Sequence, residues 1–220
     1  MEPNDKMLQR MSSGIEYRKV NVTALELRSE DDNDMVVEGY ATTFNEPYEL
    51  YSWDDYRVRE QVSPDAFNEC DMTDVIFQYN HVGRVFARTR NKTLELECDE
   101  HGLKIRAHLG GTETGRQLYE EIKGGYTDRM SFGFVVKSDE RLVTTIDGMT
   151  DVLRTITGIE KLYDVSAVSI PANDATEISA RSCFDGIVEA VKEQEALERE
   201  NNHRAELRME ILKLLGREEH

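Results

Sequence analysis

The chain has 220 residues, 39% of them hydrophobic, which is enough for one large domain or two small ones with a true core and excludes disorder throughout. Forty-four acidic against twenty-seven basic side chains leave a net charge of -17, so most of the surface repels polyanions and nucleic acid is a poor partner. No run of eighteen apolar residues exists, and Met1-Glu2-Pro3-Asn4-Asp5 lacks the basic-then-apolar order of a signal peptide, which predicts a soluble chain that is neither secreted nor membrane-bound. Cys70, Cys98 and Cys183 form no Cys-x-x-Cys pair and fit reduced thiols in a cytoplasmic setting.

Residues 1–14 are polar and Met-rich without periodicity and predict a loose arm outside the fold. Residues 15–28 are rich in Val, Tyr and Leu, 29–34 read as an acidic turn, and 35–44 resume strand character, so a hairpin is expected. Residues 45–56, with Pro47 and Trp53, read as a long connection. Ser63-Pro64-Asp65 offers a cap, a proline at the first helical position and an acid in the first turn, so a short helix should start there. A strand over 74–79 stops at Asn80-His81-Val82-Gly83. Strands over 92–98 and 103–109 form a hairpin in which Gly102 is placed to supply positive φ.

Thr112 caps a helix over 112–123 that puts Leu118 and Ile122 one turn apart and stops at Gly124-Gly125. Strands are expected over 130–137 and 153–170, the second broken near Thr157-Gly158 and ended by Pro171, with a turn at Asp147-Gly148 between them. From residue 178 apolar positions at helical spacing alternate with a charged stretch over 193–204, which reads as one or two helices. About seven strands and two helices, joined mostly by antiparallel hairpins, predict an α+β sheet or partly closed barrel. No fixed-period repeat is present.

Of five histidines, His203 and His220 lie in the tail, His101 in a hairpin turn and His108 within a strand; only His81 ends a strand, where a rigid scaffold presents reactive groups. A turn histidine bonded to backbone is the plainer alternative. Ser131 opens a strand after a diglycine and a polar loop, with Gly133 two positions on permitting close backbone approach; a small serine facing a core is the alternative. A serine hydroxyl needs a base within reach and a third group to fix the imidazole tautomer. Asp164, within an otherwise apolar strand, is the first choice for that group, Glu160 the second, and a surface aspartate on an edge strand the plain reading.

Glu38-Gly39-Tyr40-Ala41 with Phe44-Asn45, His81 at a strand end, Gly102-Leu103, Arg129-Met130-Ser131-Phe132-Gly133-Phe134, and Asp164-Val165-Ser166 running to Pro171-Ala172 occur in an order that resembles the prohead maturation proteases of tailed bacteriophages. The similarity spans about residues 15–180. The family is regarded as distantly related to the herpesvirus assemblins, so the resemblance implies an α+β fold with a mostly antiparallel, barrel-like core and surrounding helices. It divides the chain into an arm over 1–14, a protease domain over 15–183 and a helical, charge-rich tail over 184–220. It further implies a serine endopeptidase without metal or cofactor, with Ser131 as nucleophile and His81 as general base.

Assemblins place a second histidine after the nucleophile, whereas here His203 and His220 are the only ones there; the phage relatives carry an acid before the Pro-Ala, which is Asp164's place. Arg129 and the amides around Phe132 and Gly133 are candidates for stabilising the oxyanion. The implied substrates are the scaffolding segment of the major capsid protein and the protease itself, as a possible homo-oligomer, inside the procapsid in the host cytoplasm. The tail would pair with helical scaffold to package the enzyme, and self-cleavage would remove it; a helix docked on its own domain is the alternative. The rival from another class is a non-catalytic scaffold or assembly factor. A metal-dependent hydrolase lacks the paired histidine spacing it needs.

Overall fold

The computed structural model describes residues 14–20, 25–28, 35–53, 55–146, 148–169, 200 and 203–204. In chain order these form β1 (Glu16–Val20), β2 (Glu26–Arg28), β3 (Val36–Thr43), β4 (Tyr48–Trp53), β5 (Tyr56–Val62), a 3-10 turn (Pro64–Phe67), β6 (Ile76–Tyr79) and β7 (Val82–Arg88). A second 3-10 turn (Thr89–Asn91), β8 (Leu94–Cys98), β9 (Gly102–His108), α1 (Glu113–Lys123), β10 (Arg129–Ile146) and β11 (Met149–Val168) follow. The strands make two sheets: a seven-stranded one in the order β1-β10-β11-β5-β4, with β6 also on β11 and β7 on β6, and a four-stranded one in the order β2-β3-β9-β8. The chain divides into two units, Met1–Glu177 and Ile178–His220, and all of these elements lie in the first.

The local signals account for much of this. Thr112 accepts a hydrogen bond from the Gly115 amide at 3.0 Å, a cap that stabilises a helix by about 1 kcal/mol, and Leu118, Tyr119 and Ile122 form the buried face of α1. Gly125, at φ 73, turns the chain away. Ser63 caps the first 3-10 turn with Pro64 inside it. Ala41 of β3, Ile105 of β9, Leu118 of α1, Phe77 of β6 and Phe132 of β10 belong to one buried apolar cluster, so both sheets and the helix share a core.

Several expectations need correction. The hairpin over 15–44 holds only for β2 and β3; β1 joins the other sheet beside β10, because Glu16 and Arg18 find buried ionic partners there. The expected connection over 45–56 is mostly the hairpin β4–β5, with Pro47 standing just before a strand rather than inside a loop. Gly102 has no positive φ: a Cβ there would lie 2.1 Å from the Thr42 carbonyl oxygen, so close approach of β9 to β3 excludes any other residue. β11 is unbroken at Gly158, where register shifts absorb the irregularity.

Eleven strands and one α-helix are present among the described residues, against the seven and two expected. Two pairings, β11 with β5 and β11 with β6, are parallel. Both sheet orders are open, so the described residues form an α+β arrangement of two sheets, with one α-helix rather than a shell of helices and without the closure of a barrel. The arm over 1–14, except Gly14, and the tail over 184–220, except the helical positions 200, 203 and 204, lie outside the described residues.

Candidate active site

Strand alternation builds the site. Ser131 lies opposite Ser166 and Gly133 opposite Asp164 in the antiparallel β10–β11 pair, and Asp164 and Ser166 lie beside Ile76 and Gln78 of parallel β6. Paired residues share a face, so Ser131, Gly133, Asp164 and Ser166 look the same way while Phe132 and Val165 enter the core. The β6–β7 connection is the two-residue turn Asn80-His81, with φ of 50° and 57°, the positive pair that a type I′ hairpin requires. Asn80 is at ease in that region; a histidine there holds roughly 1 kcal/mol or more of strain, which the surroundings must enforce. The Asn80 amide donates to the Ala167 carbonyl at 3.0 Å and ties the turn to β11.

The imidazole that results spans two strands. His81 Nδ1 lies 2.5 Å from Asp164 Oδ1 and Nε2 lies 2.5 Å from Ser131 Oγ. Ser131 is fully buried, Asp164 is 4% exposed and the His81 side chain 12%. Ser166 Oγ donates to Asp164 Oδ1 at 2.9 Å, and the Tyr17 ring meets the imidazole edge-on at 4.5 Å between centroids. Gly133 makes room: a Cβ there would stand 2.5 Å from Asp164 Oδ2 and 2.6 Å from Tyr17 Cε1.

The Ser131 proton has two claimants. Oγ lies 2.8 Å from the Arg18 carbonyl oxygen as well as against Nε2. If the hydroxyl donates to Arg18, Nε2 must carry its own hydrogen and donate to Oγ. If it donates to Nε2, a neutral imidazole keeps its hydrogen on Nδ1 for Asp164, the tautomer that a general base requires. The first arrangement also needs a hydrogen on Nδ1 to meet Asp164, so it belongs to an imidazolium, whereas the second belongs to the neutral ring.

A second buried polar group adjoins β1. Glu60, fully buried, accepts from Arg18 Nε at 2.5 Å, from Arg154 Nη1 at 2.9 Å and from the Tyr48 hydroxyl at 2.7 Å; Arg154 also pairs with Asp139 at 2.7 Å and with Glu16 at 3.0 Å. Arg18 pairs with Glu16 too. Burial works against the Arg18 charge, but the Glu60 and Glu16 carboxylates outweigh it and hold the guanidinium far above its ordinary value. Burial would raise the Glu16 carboxyl; Arg18 and Arg154 more than reverse that and hold it below the usual carboxylate range.

The other expected site residues are placed differently. Glu160 is exposed on β11, and the imidazole meets Asp164 instead. Phe132 and Gly133 sit where β10 is flanked by β1 on one side and β11 on the other, so their amides belong to the interior of the sheet. Alternation puts Arg129 on the Ser131 face, its side chain 41% exposed and 3.9 Å from Asp128. His101 packs edge-on against Tyr40, and His108 lies 3.6 Å from Glu95. Ser166, Tyr17 and the Arg18 carbonyl carry no role in the sequence reading; only Ser166 had a usable signal, a hydroxyl two residues from Asp164 and hence on its face of the strand. Among the described residues no group of three or more His, Cys, Asp or Glu is gathered to hold a metal, and no helix is long and apolar enough to cross a membrane.

Comparison with curated proteins and with solved structures gives no match. A family model described as caudovirus prohead serine protease matches residues 23–188. That span contains β10, β11 and the β6–β7 turn, and it excludes β1. The chain belongs to the caudovirus prohead serine protease family.

Proposed function

We propose that the chain acts as a serine peptidase of capsid maturation within the procapsid, the activity that its family membership supports. We propose that Ser131 is the nucleophile, His81 the general base and Asp164 the group that orients the imidazole, within a protease domain over 15–183. The observation that carries this reading is the imidazole held between Ser131 Oγ and Asp164 Oδ1, on a turn whose positive φ values aim it there. Ser131 Oγ attacks a peptide carbonyl while its proton passes to His81 Nε2; Asp164 keeps the Nδ1 hydrogen and stabilises the imidazolium. The collapsing tetrahedral intermediate takes the proton onto the leaving amine, and water then releases the acyl group by the same route in reverse.

Arg129, half-exposed on the Ser131 face, supplies positive charge toward the developing oxyanion. Successive strand amides point to opposite edges, so one of the Phe132 and Gly133 amides faces β1 and becomes an oxyanion donor only when that edge is open. The substrates are the scaffolding segment of the major capsid protein and this chain itself, and the tail over 184–220 serves packaging.

Co-expression with the capsid protein of the same phage tests this, with intact masses as the readout. Wild type should give a capsid protein shortened by its scaffolding segment and a shortened protease; Ser131→Ala and His81→Ala should leave both at full length with the fold retained. Capsid cleavage that survives Ser131→Ala would end the reading in favour of another nucleophile. Assembly unaffected by the substitution, with no cleavage in wild type, would favour a non-catalytic assembly factor.

A further inference from the structure

The nucleophile proposed above is sealed. Ser131 has no exposed surface, and part of what closes over it is β1: Lys19 is its register partner, Tyr17 is that of Gly133 and rests on the His81 ring, and the Arg18 carbonyl takes up hydroxyl hydrogen-bonding capacity that the base needs. With no exposed surface at Ser131, a peptide carbonyl cannot meet Oγ in this arrangement.

The attachment of β1 is of a separable kind. It is an edge strand of five residues, hydrogen-bonded along β10 alone. Of its residues with described side chains, Glu16, Tyr17 and Arg18, none belongs to the apolar core, and the ion pairs that hold them are Arg18 on Glu60 and Glu16 on Arg154. Buried ion pairs gain little net free energy over their desolvation cost, in contrast to a packed apolar strand. The receptor is moreover complete without β1: Glu60 keeps Arg154 and the Tyr48 hydroxyl, and Arg154 keeps Asp139. Departure of β1 therefore leaves no orphaned charge in the sheet. The strand also lies before residue 23, where the family match begins, so it stands outside the matched protease region.

We propose that the edge of β10 beside Ser131 is a docking surface for an extended polypeptide, and that β1 is its resident occupant, an intramolecular plug that must leave before cleavage. This rests on the serine protease reading. An extended chain in β1's place pairs antiparallel with β10, brings a backbone carbonyl next to Ser131 Oγ with its carbon rather than its oxygen toward the hydroxyl, and uses the edge-facing β10 amides. The Arg18 carbonyl itself is a non-productive ligand, because its oxygen points at Oγ and accepts from it, whereas attack requires the carbonyl carbon there and the oxygen turned toward donors. Capsid protein and the plug thus compete for one edge, and opening of β1 sets how often the serine is available.

The test reads access to Ser131 in the full-length chain with a small fluorophosphonate: Oγ bonds to phosphorus, fluoride leaves, and the hydroxyl proton passes through His81 to solvent. Arg18→Ala removes the main anchor and should raise the labelling rate about tenfold or more, as expected for an opening equilibrium shifted by one lost ion pair. Glu16→Gln weakens the second anchor with less risk to folding and should raise it about threefold. Asp99→Asn, which removes a charge that the Tyr40 hydroxyl bonds in the other sheet, is the control for general loosening and should leave the rate unchanged. Equal or slower labelling of both Arg18→Ala and Glu16→Gln relative to wild type overturns the plug, as does equal acceleration by Asp99→Asn. The two readings fail differently. Capsid cleavage surviving Ser131→Ala sinks the protease chemistry, whereas Ser131-dependent cleavage with unmoved labelling sinks the plug alone.

Discussion

Two of the buried polar groups on the seven-stranded sheet, those around Glu60 and around His81, are built on opposite principles. Around Glu60, each carboxylate faces a guanidinium and each guanidinium faces more than one carboxylate, so charges cancel and no proton is in dispute. Around His81, a single hydroxyl hydrogen lies within reach of both a carbonyl and an imidazole, and the carboxylate side is held by Ser166 and His81 rather than by a cation. Saturation makes the first group a fastening. Competition for a proton suits the second to the catalytic role proposed for it, since transferring that proton requires only a change of partner over distances already within hydrogen bonding.

Substitutions should separate the two groups by which measurement they move. Asp164→Asn should cost the most activity: an amide cannot hold the Nδ1 hydrogen against its own donors, the tautomer is lost, and capsid cleavage should fall by about 10⁴-fold in a folded protein. A fall of less than tenfold would mean that the imidazole is oriented by something else. Glu60→Ala should instead strike stability, leaving two guanidinium groups facing each other without their shared carboxylate and costing about 3–5 kcal/mol in denaturant unfolding. An unchanged unfolding midpoint would show that the cluster is solvated and not a fastening.

Smaller effects sharpen the contrast. Gly133→Ala forces a methyl group against Asp164 Oδ2 and the Tyr17 ring, and displacement of the carboxylate by a fraction of an ångström should lower cleavage about 100-fold. The register partner of Ser131 gives the mildest case. Ser166→Ala removes one donor from Asp164 while His81 remains, so cleavage should drop about fivefold, the equivalent of roughly 1 kcal/mol for one hydrogen bond. Initial rates of capsid-protein processing check both, and a larger loss in Ser166→Ala than in Gly133→Ala would reverse their ranking.

Several elements were legible because their signals are local. Thr112 with Gly124-Gly125 marks both ends of α1, Ser63-Pro64 marks the first 3-10 turn, and Gly148, at φ 82, marks the β10–β11 turn. β4 was obscured by Pro47, which reads as a loop until its partner β5 is known. The pairing of β1 with β10 is not legible, since its alternating Glu16 and Arg18 resemble any solvated strand and their partners Arg154 and Glu60 are distant in sequence. Gly133 predicts close approach without saying of what; the space it leaves is filled by a carboxylate and a ring.

By itself the sequence determined the chemical inventory: a histidine at a strand end, a serine opening one strand, an aspartate inside another, and the order of motifs that identifies the family. Short-range caps and turns determined where helices and hairpins begin, because they depend on residues a few positions apart. Only the tertiary structure decided that His81 spans Asp164 and Ser131, that Glu160 stays outside, and that β1 runs along β10 beside Ser131. Those outcomes depend on strand order and register, where a shift of one residue turns a buried side chain outward, and register is set by contacts between segments far apart along the chain.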